Sequence, residues 1–175
     1  ILEVALFGSD IDAGDELTFS VDPTANATVS VAGNILTIDS DDNYNGTLTI
    51  TVSISDGQES DFTSFDVLVS PVNDAPELTF IWDEVIDEDT SLSLTLSATD
   101  IDEDDLVYDA GVNGNADVSV VENQLTVDPY DDFNGDIQVT VFVSDGDLSD
   151  SQTFTLSVTP TNDAPVIDSI LDQEM

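Results

Sequence analysis

The chain has 175 residues, with 39 Asp and Glu and no Lys, Arg or His, for a formal charge of −39. Such a chain repels phosphate backbones and anionic headgroups, which excludes nucleic acid as a partner and direct contact with a membrane surface. Hydrophobic residues still make up 40% and fall in regular patterns, so an acidic disordered tail is excluded and the fold must rely on cations, in solution or at specific sites.

Asp10-Ile11-Asp12 is the first feature, two carboxylates that project to the same side in extended chain. Val29-Ser30-Val31 and Leu36-Thr37-Ile38 flank Gly33-Asn34 and predict a hairpin. Asp41 and Asp42 precede Asn45-Gly46, after which Leu48, Ile50, Val52 and Ile54 alternate strictly with Thr and Ser up to Ser55-Asp56-Gly57. Phe65, Val67 and Val69 alternate in the same way and lead into Ser70-Pro71-Val72-Asn73-Asp74-Ala75-Pro76. Glu88-Asp89-Thr90 follows, then Leu92, Leu94, Leu96 and Ala98 on one face, then Asp100-Ile101-Asp102. A second predicted hairpin runs from Val118 to Val127 around Glu122-Asn123. Asn134-Gly135, the alternating Ile137, Val139, Val141 and Val143, and Ser144-Asp145-Gly146 come next. Phe154, Leu156 and Val158 form the last predicted strand, closed by Thr159-Pro160-Thr161-Asn162-Asp163-Ala164-Pro165.

The second half restates the first. Asn45-Gly46 and Asn134-Gly135, the two Ser-Asp-Gly turns and the two Asn-Asp-Ala-Pro junctions each stand 89 residues apart. A fixed interval of this size marks tandem copies of one folding unit. What returns most faithfully is Asp, Asn, Gly and Pro at turns rather than the apolar filling. Period-two alternation with one apolar face marks half-buried antiparallel strands, and no segment has a helical period. About seven short strands in about 90 residues suit a Greek-key β-sandwich.

Boundaries are expected at the Pro-flanked junctions. The first unit spans 1–76 and lacks its opening strand, the second spans 77–165, and 166–175 begins a third. The junctions are short and Pro-stiffened, so the units are expected to sit end to end. Cysteine is absent, and no apolar run approaches a membrane span. Neither end resembles a signal peptide, and the chain is expected to be a piece of a longer protein.

The acidic groups suggest a metal. Asp100 and Asp102 follow a strand, Asp145 closes another before a Gly turn, and Asn73-Asp74 lies at the junction feeding that end. Asp41 and Asp42 could face the same junction from the first unit. Calcium takes six to eight hard oxygen ligands, and this inventory approaches that number without a nitrogen or sulfur donor; zinc and copper lack their usual ligands here. The competing reading is that these are solvated charges and ordinary Asx turns. An EF-hand fails, since Asp105 stands where Gly is needed and Gly111 where the bidentate Glu is needed.

Asn73-Asp74-Ala75-Pro76, Glu88-Asp89-Thr90, Ala98-Thr99-Asp100-Ile101-Asp102, Asp132-Phe133-Asn134-Gly135 and Val143-Ser144-Asp145-Gly146, in this order, resemble the bacterial tandem cadherin-like repeats of large surface adhesins and secreted proteins. The resemblance implies an all-β fold of tandem Greek-key sandwiches, cadherin-like or immunoglobulin-like, with Ca²⁺ held between successive repeats. It implies a junction site of Asp42 (or Asp41 in its place), Asn73, Asp74, Asp100, Asp102 and Asp145. It implies a second, incomplete site of Glu88, Asp131 or Asp132, Asn162 and Asp163, and a further partial one of Asp10, Asp12 and Asp56. The number of ions per junction stays open, because Asp41-Asp42 matches the family's acidic triplet only loosely.

Three functions are compatible with this reading. One is a calcium-stiffened extender of a surface adhesin, outside the cell, whose partners are calcium and neighbouring repeats. The second is a carbohydrate-binding module contacting cell-surface or extracellular polysaccharide through Trp82 or Phe142. Phe142 falls on the polar face of its strand, whereas Trp82, beside Phe80 and Ile81, is expected in the core or at a strand edge. The third, an enzyme, is rejected, because paired carboxylates at junctions have no His, Cys or Lys to serve as base, nucleophile or electrostatic stabiliser.

Overall fold

The computed structural model describes residues 1–12, 14 and 16–167. Among these residues every regular element is a strand, and the chain divides into two compact units, Ile1–Val72 and Asn73–Met175. Asn73 to Pro76 thus belong to the second unit. The expected start of a third repeat at 166–175 lies mostly outside the described residues.

Unit 1 holds β1 (Leu2–Ala5), β2 (Thr18–Val21), β3 (Ala27–Ala32), β4 (Ile35–Ser40), β5 (Gly46–Ser55) and β6 (Ser60–Val69). They form two sheets, ordered β1-β4-β3 and β2-β5-β6, all antiparallel. Unit 2 holds β7 (Glu77–Leu78), β8 (Glu84–Asp87), β9 (Leu92–Thr95), β10 (Ala98–Thr99), β11 (Val107–Val112), β12 (Ala116–Val121), β13 (Gln124–Pro129), β14 (Gly135–Ser144) and β15 (Ser149–Thr159). Its sheets are β12-β13-β9 and β11-β14-β15-β8, with β7 paired to β10. β8 runs parallel to β15, whereas its other pairings are antiparallel.

The alternation seen in the sequence builds the core. Ile137, Val139, Val141 and Val143 of β14 are fully buried, and they meet Leu125 and Val127 of β13 and Leu156 of β15 in one apolar cluster. Side chains from two sheets share that cluster, which makes unit 2 a β-sandwich. Leu36, Ile38, Leu48 and Ile50 do the same in unit 1. Phe65 and Val67 of β6 stay half-buried, whereas Phe154 and Leu156, their counterparts in β15, are sealed.

Both predicted hairpins form, β3 with β4 and β12 with β13. Their tips carry a device that repeats between units. Asn123 donates its amide to the Leu96 carbonyl at 3.0 Å, and its own carbonyl accepts from Leu96 N–H at 2.8 Å. Asn34 clamps Leu6 in the same two-bond way. The side-chain bond is part-buried, so Asn123→Ala should cost about 1 kcal/mol, measurable as a lower urea midpoint with an unchanged slope.

Candidate metal centre

The turns that end the strands spend one oxygen of each aspartate on the backbone. Asp100, just after β10, accepts from Asp102 N–H through Oδ1 at 2.8 Å. Asp145, just after β14, accepts from the N–H groups of Asp147 and Leu148 through Oδ1 at 2.7 and 2.6 Å. These are Asx turns, available to Asp because its short side chain reaches the backbone two residues on. The other oxygen of each remains for a different partner. Asp145 Oδ2 accepts from the Asn73 amide at 2.9 Å, and Asp102 Oδ2 accepts from Asp74 N–H at 2.8 Å. Asn73, Asp74, Asp100, Asp102 and Asp145 therefore collect at one end of unit 2.

One oxygen is left over. Asp100 Oδ2 is buried and has no hydrogen-bond partner. A buried lone carboxylate oxygen is costly unless something cationic meets it. Asp100, Asp102 and Asp104 each present an oxygen within 4.8 Å of the others. Partial desolvation, then repulsion from Asp100, Asp102 and Asp145, raises the Asp104 carboxyl above the usual aspartate range. Asp145 is lowered instead, first by Leu148 N–H and then by the Asn73 amide. The donor set is oxygen only, so it fits a hard cation of the calcium class. Sequence reasoning missed Asp104, although it continues the Asp100, Asp102 alternation by one more step.

A second acidic cluster lies at the end of unit 2 where β8 and β15 finish. Asp89, Asp132 and Asp163 bring oxygens within 4.8 Å of one another. Repulsion from Asp163 and then Asp89 raises the Asp132 carboxyl. Asp89 and Asp132 both sit in left-handed backbone (φ 62° and 58°), and Asp132 N–H donates to Asp89 Oδ1 at 3.1 Å. Glu88 is different: it is only 5% exposed. Its Oε1 accepts from Thr161 N–H at 2.6 Å and its Oε2 from the Asn134 amide at 3.2 Å. Asn162 turns its amide to the Asp163 carbonyl at 3.0 Å, as Asn73 does to Asp74 at 3.3 Å.

The remaining candidates belong to unit 1 or stand apart. Asp42 is exposed in the turn between β4 and β5. One repeat interval separates it from Asp131, and the position equivalent to Asp132 is Asn43, again left-handed (φ 59°). Asp10 accepts from Asp12 N–H, and Asp56 from Gln58 and Glu59, repeating the Asx turns of unit 2. The bonds from Glu59 and then Gln58 lower the Asp56 carboxyl. Of the two places expected for Trp82, the core is the one the structure excludes, because the residue is 74% exposed. Ile81 takes the inward position against the core, and the Trp82 ring meets Phe80 edge to face at 4.7 Å and 74°. Phe142 is 44% exposed on its strand, as its place in the alternation implied.

Comparison with known proteins agrees with this architecture. Residues 72–159 match the cadherin-like domain family, and residues 1–67 match a bacterial Ig domain family. No curated protein matches the chain. Among solved structures, human protocadherin-24 EC1-2 is similar in two crystal structures. One has a TM-score of 0.56 at 18% identity, covering 92% of this chain and 88% of that one. The other has 0.54 at 16%, covering 91% and 88%. An endo-fucoidan hydrolase of glycoside hydrolase family 107 gives 0.41 at 17%, covering 85% of this chain and 24% of that one, so the chain spans about a quarter of that enzyme's length.

Proposed function

The chain belongs to the cadherin-like domain family, and on that premise we propose that it is a calcium-binding extender of an extracellular, surface-displayed adhesin. The observation that carries the reading is the buried, unpartnered Asp100 Oδ2 beside Asp102 and Asp104. Calcium would supply positive charge to that oxygen and offset the desolvation, and then the repulsion from Asp100, Asp102 and Asp145, that raise Asp104. Asp100, Asp102, Asp104 and Asp145 would hold it, with Asn73 and Asp74 close by through the Asp145 and Asp102 bonds.

Asp42, or its neighbour Asp41, is proposed to complete the coordination from unit 1. Such a shared ion would stiffen the joint between the two units. Glu88, Asp89, Asp132, Asn162 and Asp163 would do the same for a following repeat. Extracellular calcium modules work at about 10⁻⁴–10⁻³ M, so the joint would be stiff outside a cell and loose inside. Small-angle scattering in about 2 mM calcium, within reach of that range, and again in chelator tests this. A longer, stiffer particle with calcium is expected; superimposable curves would overturn the extender reading.

The carbohydrate reading has less support. Phe80 and Trp82 meet edge to face, so together they offer no flat platform for a sugar ring.

A further inference from the structure

Three Asn-Gly pairs occur in the chain: Asn45-Gly46, Asn113-Gly114 and Asn134-Gly135. The pairing is chemically reactive. Glycine has no Cβ to shield its backbone nitrogen, so that nitrogen can approach the side-chain carbonyl carbon of the preceding Asn. Reaction then depends on the freedom of the Asn side chain to swing into attack geometry.

The three side chains are held unequally. Asn134 donates its amide to Glu88 Oε2 at 3.2 Å, in a part-buried site. Asn113 is clamped on Gln138: its Oδ1 accepts from Gln138 N–H at 3.1 Å, and its own N–H donates to the Gln138 carbonyl at 3.1 Å. Asn45 is exposed, and among the described residues its side chain makes no hydrogen bond. The side-chain bond of its turn belongs to Tyr44, whose hydroxyl donates to the Thr47 carbonyl at 3.1 Å. The surroundings of Gly46 and Gly135 are otherwise matched. They open β5 and β14 with φ of 135° and 133°, and they pair with Val69 and Val158. An aromatic ring covers each one: a Cβ there would meet Tyr44 Cζ at 3.4 Å and Phe133 Cζ at 3.5 Å. What separates Asn45 from Asn134 is the tether to Glu88.

We propose that Asn45 is a modification site, converted selectively by spontaneous deamidation. The Gly46 nitrogen gives up its proton and bonds to Asn45 Cγ. The Cγ–Nδ2 bond breaks, the departing nitrogen takes up a proton, and ammonia leaves behind a cyclic imide. Water then opens the ring at one of its two carbonyl carbons. Cleavage between Cγ and the Gly46 nitrogen gives an aspartate; cleavage at the main-chain carbonyl gives an isoaspartate, whose main chain runs through the former side chain. Either product replaces a neutral amide by a carboxylate in the turn that already carries Asp41 and Asp42. The isoaspartate also adds a methylene to the main chain directly before β5, which loosens the Gly46–Val69 end of the β5–β6 pair. The charge of this turn therefore rises with the age of the protein, with no enzyme required, while the equivalent Asn134 keeps its amide.

Incubation of the full chain in warm, mildly alkaline buffer with chelator tests this without calcium, so its failure is separable from failure of the extender reading. Products are read by pepsin digestion and mass spectrometry, since the chain has no Lys or Arg for trypsin to cut at. The amide-to-acid mass shift should accumulate at Asn45 at least about tenfold faster than at Asn113 or Asn134. It should appear as two chromatographic forms, aspartyl and isoaspartyl. Glu88→Ala removes the Asn134 tether and should raise the Asn134 rate at least about tenfold. Asn113, in the same unit, should stay slow in that variant and so report that unit 2 remains folded. If Asn113 quickens as well, unit 2 has opened and the ratio in the unaltered chain decides. No conversion at Asn45, or conversion at Asn113 or Asn134 as fast as at Asn45, overturns the proposal. So does an Asn134 rate indifferent to the loss of Glu88 in a folded unit 2.

Discussion

Asp100→Ala combined with Asp102→Ala should lower calcium affinity at the Asn73 end of unit 2 by at least about 100-fold, read by titration calorimetry. Two of the three carboxylates that bring oxygens within 4.8 Å of one another are lost, and the buried, partnerless Asp100 Oδ2 goes with them. Asp102→Ala also frees Asp74 N–H from its 2.8 Å bond, so the Asn73-Asp74 segment loses its tie to the cluster. Asp117→Ala is the control: Asp117 is exposed on β12, outside both clusters, and should leave the isotherm unchanged. Asp104→Asn should give an intermediate loss, since an amide oxygen can still ligate but brings no charge. A full-strength isotherm in the double variant would remove this cluster from the calcium-binding account.

The sandwich was legible because a strand's inward set is written in every second residue. Leu48, Ile50 and Val52, and Ile137, Val139, Val141 and Val143, are buried where the alternation put them. The faithful return of turn residues has a backbone cause. Asn26 and Asn115 (φ 62° and 64°), Gly33 and Glu122 (62° and 57°), and Gly46 and Gly135 (135° and 133°) occupy equivalent left-handed positions. Gly46 and Gly135 are the strictest, since few L-residues accept φ near +135°. Core residues can trade volume; these positions cannot trade conformation.

Other features depend on contacts that no local pattern encodes. The Asn123 clamp closes on Leu96, 27 residues away, and sequence reading saw only a hairpin tip. Trp82 looked apolar enough for the core, yet the turn of chain between β7 and β8 sends Ile81 inward and its neighbours out. Asp100, Asp102, Asp145, Asn73 and Asp74 were readable as one group because each sits at a strand end beside a turn signal. Asp104 was within reach of the same spacing, one step beyond Asp102, whereas Asp89 joins its cluster through loop geometry that spacing alone does not reveal.

Glu88→Ala should destabilise unit 2 by about 2–4 kcal/mol, measured by urea unfolding in chelator. Glu88 is a carboxylate buried without any basic side chain in the protein to pair with. It is held by donors instead: Thr161 N–H and hydroxyl on one oxygen, the Asn134 amide on the other. Thr161 follows β15 and Asn134 precedes β14, so this one side chain ties β8 to the start and finish of the β14–β15 pair. Alanine would strand those donors in a part-buried site and open a void the size of the lost carboxylate. Glu88→Gln keeps one acceptor in the same shape and should lose less than half as much. The pair also separates two roles. If Glu88 only ties strands, Glu88→Gln leaves calcium binding at the Asp89, Asp132 and Asp163 end intact; if it is also a ligand, affinity falls even in protein that remains folded.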